Sequence, residues 1–161
     1  MLNPFAAAPS LMTEWIKTSR IIDESLDPSL AELVKIRASQ INGCANCVNM
    51  HTIEARKNGE SEQRLYLLSV WAEAPCFTPR ERAALAWTEA LAKLSERPDC
   101  GRAYENLERH FSQEEQIKIT LLINVISGFN RIAVGFGLYA EPVMIERMAK
   151  AVPDEDQPET S

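Results

Sequence analysis

Apolar residues recur along this chain three and four positions apart, and no stretch alternates between hairpin turns. That period places apolar side chains on one helical face, so the chain is predicted to be all-α. A first helix follows Pro9, carries Leu11, Met12, Trp15, Ile16 and Ile22, and ends near Glu24. Asp27 before Pro28 is an N-cap followed by proline at the first helical position, opening a helix through Leu30, Leu33, Val34 and Ile41. Gly43 supplies the break. A third helix runs to about Asn58, with Gly59 as its left-handed cap, and Ser61 opens a fourth through Leu65, Leu68 and Trp71. Thr78-Pro79-Arg80-Glu81 combines an N-cap, a first-turn proline and a capping-box glutamate, and the helix behind it turns Ala83, Trp87, Ala90, Leu91 and Leu94 to one face. Residues 102–110 form a shorter helix, and Ser112-Gln113-Glu114-Glu115 is a second capping box opening a long apolar one.

The stretch 119–140 is the most apolar of the chain, but Asn124, Asn130 and Arg131 divide it into pieces shorter than a bilayer requires. It reads as a buried helix with no membrane role. A helix apolar on nearly all faces needs cover on nearly all faces, more than so short a chain supplies, which predicts a homo-oligomer. Gly128, Ala133, Gly135 and Gly137 either let helices approach closely or mark the helix end. Trp15, Trp71 and Trp87 fall with the apolar faces, as core or subunit interface, while Asn130 and Arg131 must find polar partners. The acidic, proline-containing tail 152–161 is expected to be disordered, leaving one domain over 1–151.

Composition narrows the function. A chain of 161 residues with 45% hydrophobic content builds one core. A formal net charge of -6, a sequence pI near 5.0 and no Lys/Arg cluster argue against nucleic acid as a partner. The amino terminus has no basic region and its apolar stretch is interrupted by proline, so a cytoplasmic location is expected. In that compartment a CxxC pair does redox chemistry or binds metal more often than it staples a fold. Cys76 and Cys100 read as spectators, and His110, near a helix end, as a capping residue.

The chemistry concentrates in Gly43-Cys44-Ala45-Asn46-Cys47-Val48-Asn49-Met50-His51. A thiol of ordinary pKa, about 8.5, is mostly protonated at neutral pH, so a reactive one needs help to lose its proton. The positive end of a helix dipole favours Cys44, nearest the helix start, whereas His51, one turn after Cys47, favours Cys47. Glu32 lies eleven residues before Gly43 and His51 eight after it. If the two helices fold back at Gly43, the mismatch of three residues is about 4.5 Å, within reach of their side chains. Glu32 can then orient the imidazole and raise its basicity.

Glu32, eleven intervening residues, Cys44, two, Cys47, three, His51 resembles the signature of the carboxymuconolactone decarboxylase family in its alkylhydroperoxidase AhpD-like branch. Residues 72–75, 77–90 and 124–131 resemble that family too, and the likeness covers about residues 10–145. The resemblance implies an all-α, AhpD-like helical bundle assembled as trimers or hexamers, and a thiol-dependent peroxidase with no bound cofactor. It implies that Cys47 attacks the hydroperoxide, Cys44 resolves the sulfenic acid as a disulfide, and Glu32 and His51 relay the proton. An external dithiol or disulfide reductant protein would close the cycle. The best characterised AhpD pattern has a histidine immediately before its second cysteine, where this chain has Asn46, which hydrogen-bonds but exchanges no proton at neutral pH. The decarboxylases that name the family lack the dithiol, so decarboxylation is not implied.

Other readings of the same residues are a protein disulfide reductase, a redox-sensing oligomeric protein with little turnover, and a zinc site using Cys44, Cys47, His51 and a fourth ligand from Cys76 or Glu32. The zinc reading lacks the second paired motif that such sites usually show.

Overall fold

The computed structural model describes residues 2–138, so the expected tail 152–161 and the end of the stretch 119–140 lie outside the described residues. Among the described residues there are eight α-helices and no strand: α1 (Pro4–Ala7), α2 (Pro9–Glu24), α3 (Pro28–Ile41), α4 (Ala45–Lys57), α5 (Glu62–Leu67), α6 (Pro79–Ala92), α7 (Cys100–His110) and α8 (Gln113–Gly135). Short 3-10 turns follow α5 at Leu68–Val70 and α6 at Leu94–Glu96. The fold is an all-α bundle.

Side chains start most of these helices where the sequence says they should. Asp27 Oδ1 accepts from Leu30 N–H at 2.9 Å, and Thr78 and Ser112 each close a full capping box with Glu81 and Glu115. Gly43 and Gly59 take the left-handed conformation, at φ 68° and 92°, that ends α3 and α4. Four boundaries differ from the sequence reading. α6 ends at Ala92, which leaves Leu94 in the 3-10 turn behind it, exposed and off the apolar face of that helix. Asn3 caps a four-residue α1 that the reading left without structure. The helix opened by Ser61 tightens into a 3-10 turn after Leu67, before Trp71. Asp99 caps α7 through Arg102 N–H, starting it two residues early.

α3 is the central helix, packed against α4, α6 and α8. Leu30, Ala31 and Val34 face Ala83, Ala84, Leu107, Ile119, Leu122 and Ile123, whereas Leu33 and Ile36 face Leu65, Leu68, Phe77 and Leu85. A third cluster joins Ala38, Cys44 and Cys47 to Ile126 and Ala133 of α8. Asn130, 1% exposed, finds its partners within the chain: its Nδ2 donates to Ser39 Oγ at 3.0 Å and its Oδ1 accepts from Asn42 Nδ2 at 2.9 Å. This pins the end of α3 to α8 immediately before the dithiol. α8 is long and apolar enough to cross a membrane by length and composition alone, but it packs against α2, α3, α4, α6 and α7 as a core helix.

Candidate active site

The turn between α3 and α4 sets the dithiol. Ser39 C=O accepts from Cys44 N–H at 2.9 Å, and Cys44 becomes the N-cap of α4, its Sγ accepting from Cys47 N–H at 3.3 Å. The two sulfurs are joined as a disulfide with Cα atoms 5.4 Å apart. Cys47 therefore sits in the first turn of α4 and His51 one turn further along the same face.

α3 and α4 fold back on each other at Gly43, and Glu32 Oε2 lies 3.0 Å from His51 Nδ1. Glu32 is 4% exposed. Burial by itself would raise its carboxyl, but hydrogen bonds from His51 and Lys35 and their positive charges outweigh it and hold Glu32 below the ordinary glutamate value. With Nδ1 bound to a carboxylate, the nitrogen left for chemistry on His51 is Nε2.

Cys47 and His51 both line a cavity of about 480 Å³ between α2, α4 and α8. Its walls are Phe5, Ile16, Met50, Leu122, Ile126 and Phe129, with Lys35 among the few charged groups. The volume suits a small organic molecule. Asn46 lines it too, and among the described residues the buried Oδ1 of Asn46 has no hydrogen-bond partner. Cys44 faces elsewhere: it borders two shallow depressions, one with Ser39, Gln40, Asn49 and Thr52 and one with Ala45, Val134 and Gly137.

Glu32, Cys44, Cys47 and His51 thus come together. Cys76 and Cys100 are free, half-buried and outside the cavity. The sequence reading missed Lys35 and Asp23. Lys35 Nζ lies 2.6 Å from Glu32 Oε1 and 2.7 Å from Asp23 Oδ1. A signal for Lys35 was present, since Glu32 and Lys35 form an i,i+3 pair of opposite charge inside the apolar run Leu33, Val34 and Ile36. Among the described residues no three His, Cys, Asp or Glu side chains converge in a way that could hold a metal ion.

A protein of unknown function from Agrobacterium tumefaciens, provisionally described as the antioxidant defence protein AhpD, superposes with a TM-score of 0.79 at 45% identity, covering 84% of this chain and 93% of that one. The debrominase Bmp8, solved as a cysteine-to-alanine variant with 2,3,4-tribromopyrrole, shares the fold at a TM-score of 0.78 and 18% identity, covering 91% of this chain and 79% of that one. The uncharacterized protein YdfG of Bacillus subtilis is 40% identical over 113 residues, 70% of this chain and 77% of YdfG. The family model for carboxymuconolactone decarboxylase matches residues 8–90. With the helical fold and a close relative across most of its length, the chain belongs to the carboxymuconolactone decarboxylase family.

Proposed function

We propose that this protein is a thiol-dependent peroxidase, of the alkylhydroperoxidase type, that reduces hydroperoxides through a Cys44–Cys47 dithiol/disulfide cycle. The observation that carries the reading is the shared cavity: Cys47 and a Glu32-held His51 face one apolar pocket, while Cys44 is already bonded to Cys47 from the other side. In the reduced protein, His51 Nε2 takes the Cys47 proton. The thiolate attacks the terminal oxygen of R–O–OH, the O–O bond breaks, and its electron pair leaves with RO⁻, which His51 protonates to ROH. Cys47 is left as a sulfenic acid. The Cys44 thiol then attacks that sulfur, its proton joins the departing hydroxyl as water, and the disulfide forms. An external dithiol returns both thiols, oxidised in exchange to its own disulfide. Such a cycle belongs in a reducing, cytoplasmic compartment and makes the protein antioxidant in effect.

The test is steady-state hydroperoxide consumption driven by a small dithiol such as dihydrolipoamide. Wild type turns over and Cys47→Ser does not; full turnover by Cys47→Ser contradicts the reading. A second reading, protein disulfide reduction, is favoured by one observation: Cys44 borders an open, uncharged depression that a partner's thiol could enter. In that case disulfide exchange is fast and peroxide consumption slow.

A further inference from the structure

Lys35 lies one turn after Glu32 on α3, and only 8% of its side chain is exposed. An ammonium ion withdrawn from water is strongly unfavourable unless opposite charges surround it. Here two do, Glu32 Oε1 at 2.6 Å and Asp23 Oδ1 at 2.7 Å. An ammonium group only donates, so Lys35 settles which carboxylate oxygens remain for other partners. With Oε1 taken, Glu32 presents Oε2 to His51 Nδ1 at 3.0 Å.

Asp23 stands in the last turn of α2, at the negative end of the helix dipole, with no basic residue in that turn. A carboxylate there is unfavourable for α2 alone, and Lys35 is the partner that accounts for it. α2 also brings Ile16 and Arg20 to the cavity wall. A line of charge therefore runs from that wall through Asp23, Lys35 and Glu32 to His51.

We infer that Lys35, clamped by Asp23, is a positioning residue that turns Glu32 toward His51, so that His51 serves Cys47, and that it couples the seating of α2 to the reactivity of that thiol. The inference rests on Cys47 being the reactive thiol of the proposed function, whatever its oxidant. The charged and titratable groups around the cavity are Asp23 and Arg20 from α2, Glu32 beside Lys35 on α3, and Cys47 and His51 from α4; α8 offers apolar side chains. Without the ammonium, Glu32 and Asp23 lose the cation between them. Glu32 then swings away or takes up a proton, and the imidazole loses its orientation.

The test uses the reduced full-length protein and iodoacetamide, a small alkylating reagent that involves no peroxide and leaves on Cys47 a thioether that Cys44 cannot displace. The rate of Cys47 modification is followed against pH, with fragment-ion mass spectrometry separating it from Cys44, for wild type, Lys35→Met, Lys35→Arg and Asp23→Asn. Thermal melting establishes that each variant is folded. Lys35→Met is expected to slow Cys47 about tenfold at neutral pH and to raise the midpoint of the pH profile by about one unit. Lys35→Arg recovers most of the rate, and Asp23→Asn loses part of it. A folded Lys35→Met with the wild-type profile overturns the inference. If Lys35→Met does not fold, a wild-type profile in Asp23→Asn overturns it instead. Wild-type Cys47 that reacts with this reagent but not with hydroperoxides refutes the peroxidase reading alone.

Discussion

Glu32 keeps its charge in the protein interior because His51 and Lys35 both hydrogen-bond to it. Its folded pKa lies below the ordinary value of 4.5. A group lowered on folding binds protons more readily in the unfolded chain, so its stabilisation is complete above the ordinary value and is lost as the pH falls through the folded one. Wild type is therefore expected to lose stability as the medium is acidified below the ordinary glutamate range, and Glu32→Gln to show a shallower loss in urea unfolding followed across that range. His51→Gln and Glu32→Gln should slow attack on peroxide, yet still allow a strong oxidant to form the disulfide, as thiol counting would show. The Glu32–His51 contact was legible in the sequence, because counting residues either side of Gly43 gives a mismatch two side chains can span. Asp23 was not. Its pairing with Lys35 depends on how α2 crosses α3, which no local spacing encodes.

Gly128 shows why a helix can need glycine at its middle. A Cβ there would come within 2.8 Å of Trp15 Cζ2, so α2 and α8 meet with the indole lying over bare backbone. Trp15 also packs on Phe129, ring centroids 5.8 Å apart, at the edge of the Cys47 cavity. Gly128→Ala is expected to push Trp15 aside and destabilise the protein by about 1–3 kcal/mol, read by denaturant unfolding. Among the alternatives the sequence allowed for its small residues, both occur: Gly128 permits a close approach, and α8 ends at Gly135 with Gly137 left-handed at φ 60°. Helix starts were the most legible elements, since an N-cap and its capping-box partner lie within four residues, as at Thr78 and Glu81. The end of α5 was not legible. Nothing in Leu68, Ser69 and Val70 forbids a continued helix, and the tightening there accompanies Leu68 entering the core between α3 and α6.

On the scale of the molecule, the outer face of α8 carries open apolar side chains, with Ile117 61%, Leu121 42% and Val134 54% exposed. Among the described residues this exposure falls at the start of α8, Ile117 and Leu121, and at its end, Val134, with the exposed Asn124 and Arg131 between; apolar side chains left open in this way are for a free monomer an aggregation hazard and for an assembled protein an interface. Sedimentation equilibrium is expected to return the mass of a trimer or hexamer, and Leu121→Glu to lower it toward the monomer; a monomeric wild type contradicts the oligomer. The all-α class was legible because helical period dominates the whole chain, whereas the cavity was not, since its walls come from α1, α2, α4 and α8 and their apolar residues look like any core. The debrominase with this fold shows that the bundle does not dictate one chemistry. The function proposed for this chain rests on what Cys47 does when an oxidant enters its cavity. The most direct measurement is intact and peptide mass spectrometry of the reduced protein after one equivalent of an organic hydroperoxide, with oxidant loss followed over time. The account predicts rapid loss of about 2 Da, mapped to Cys44 and Cys47, and unchanged thiols beside undiminished peroxide would contradict it.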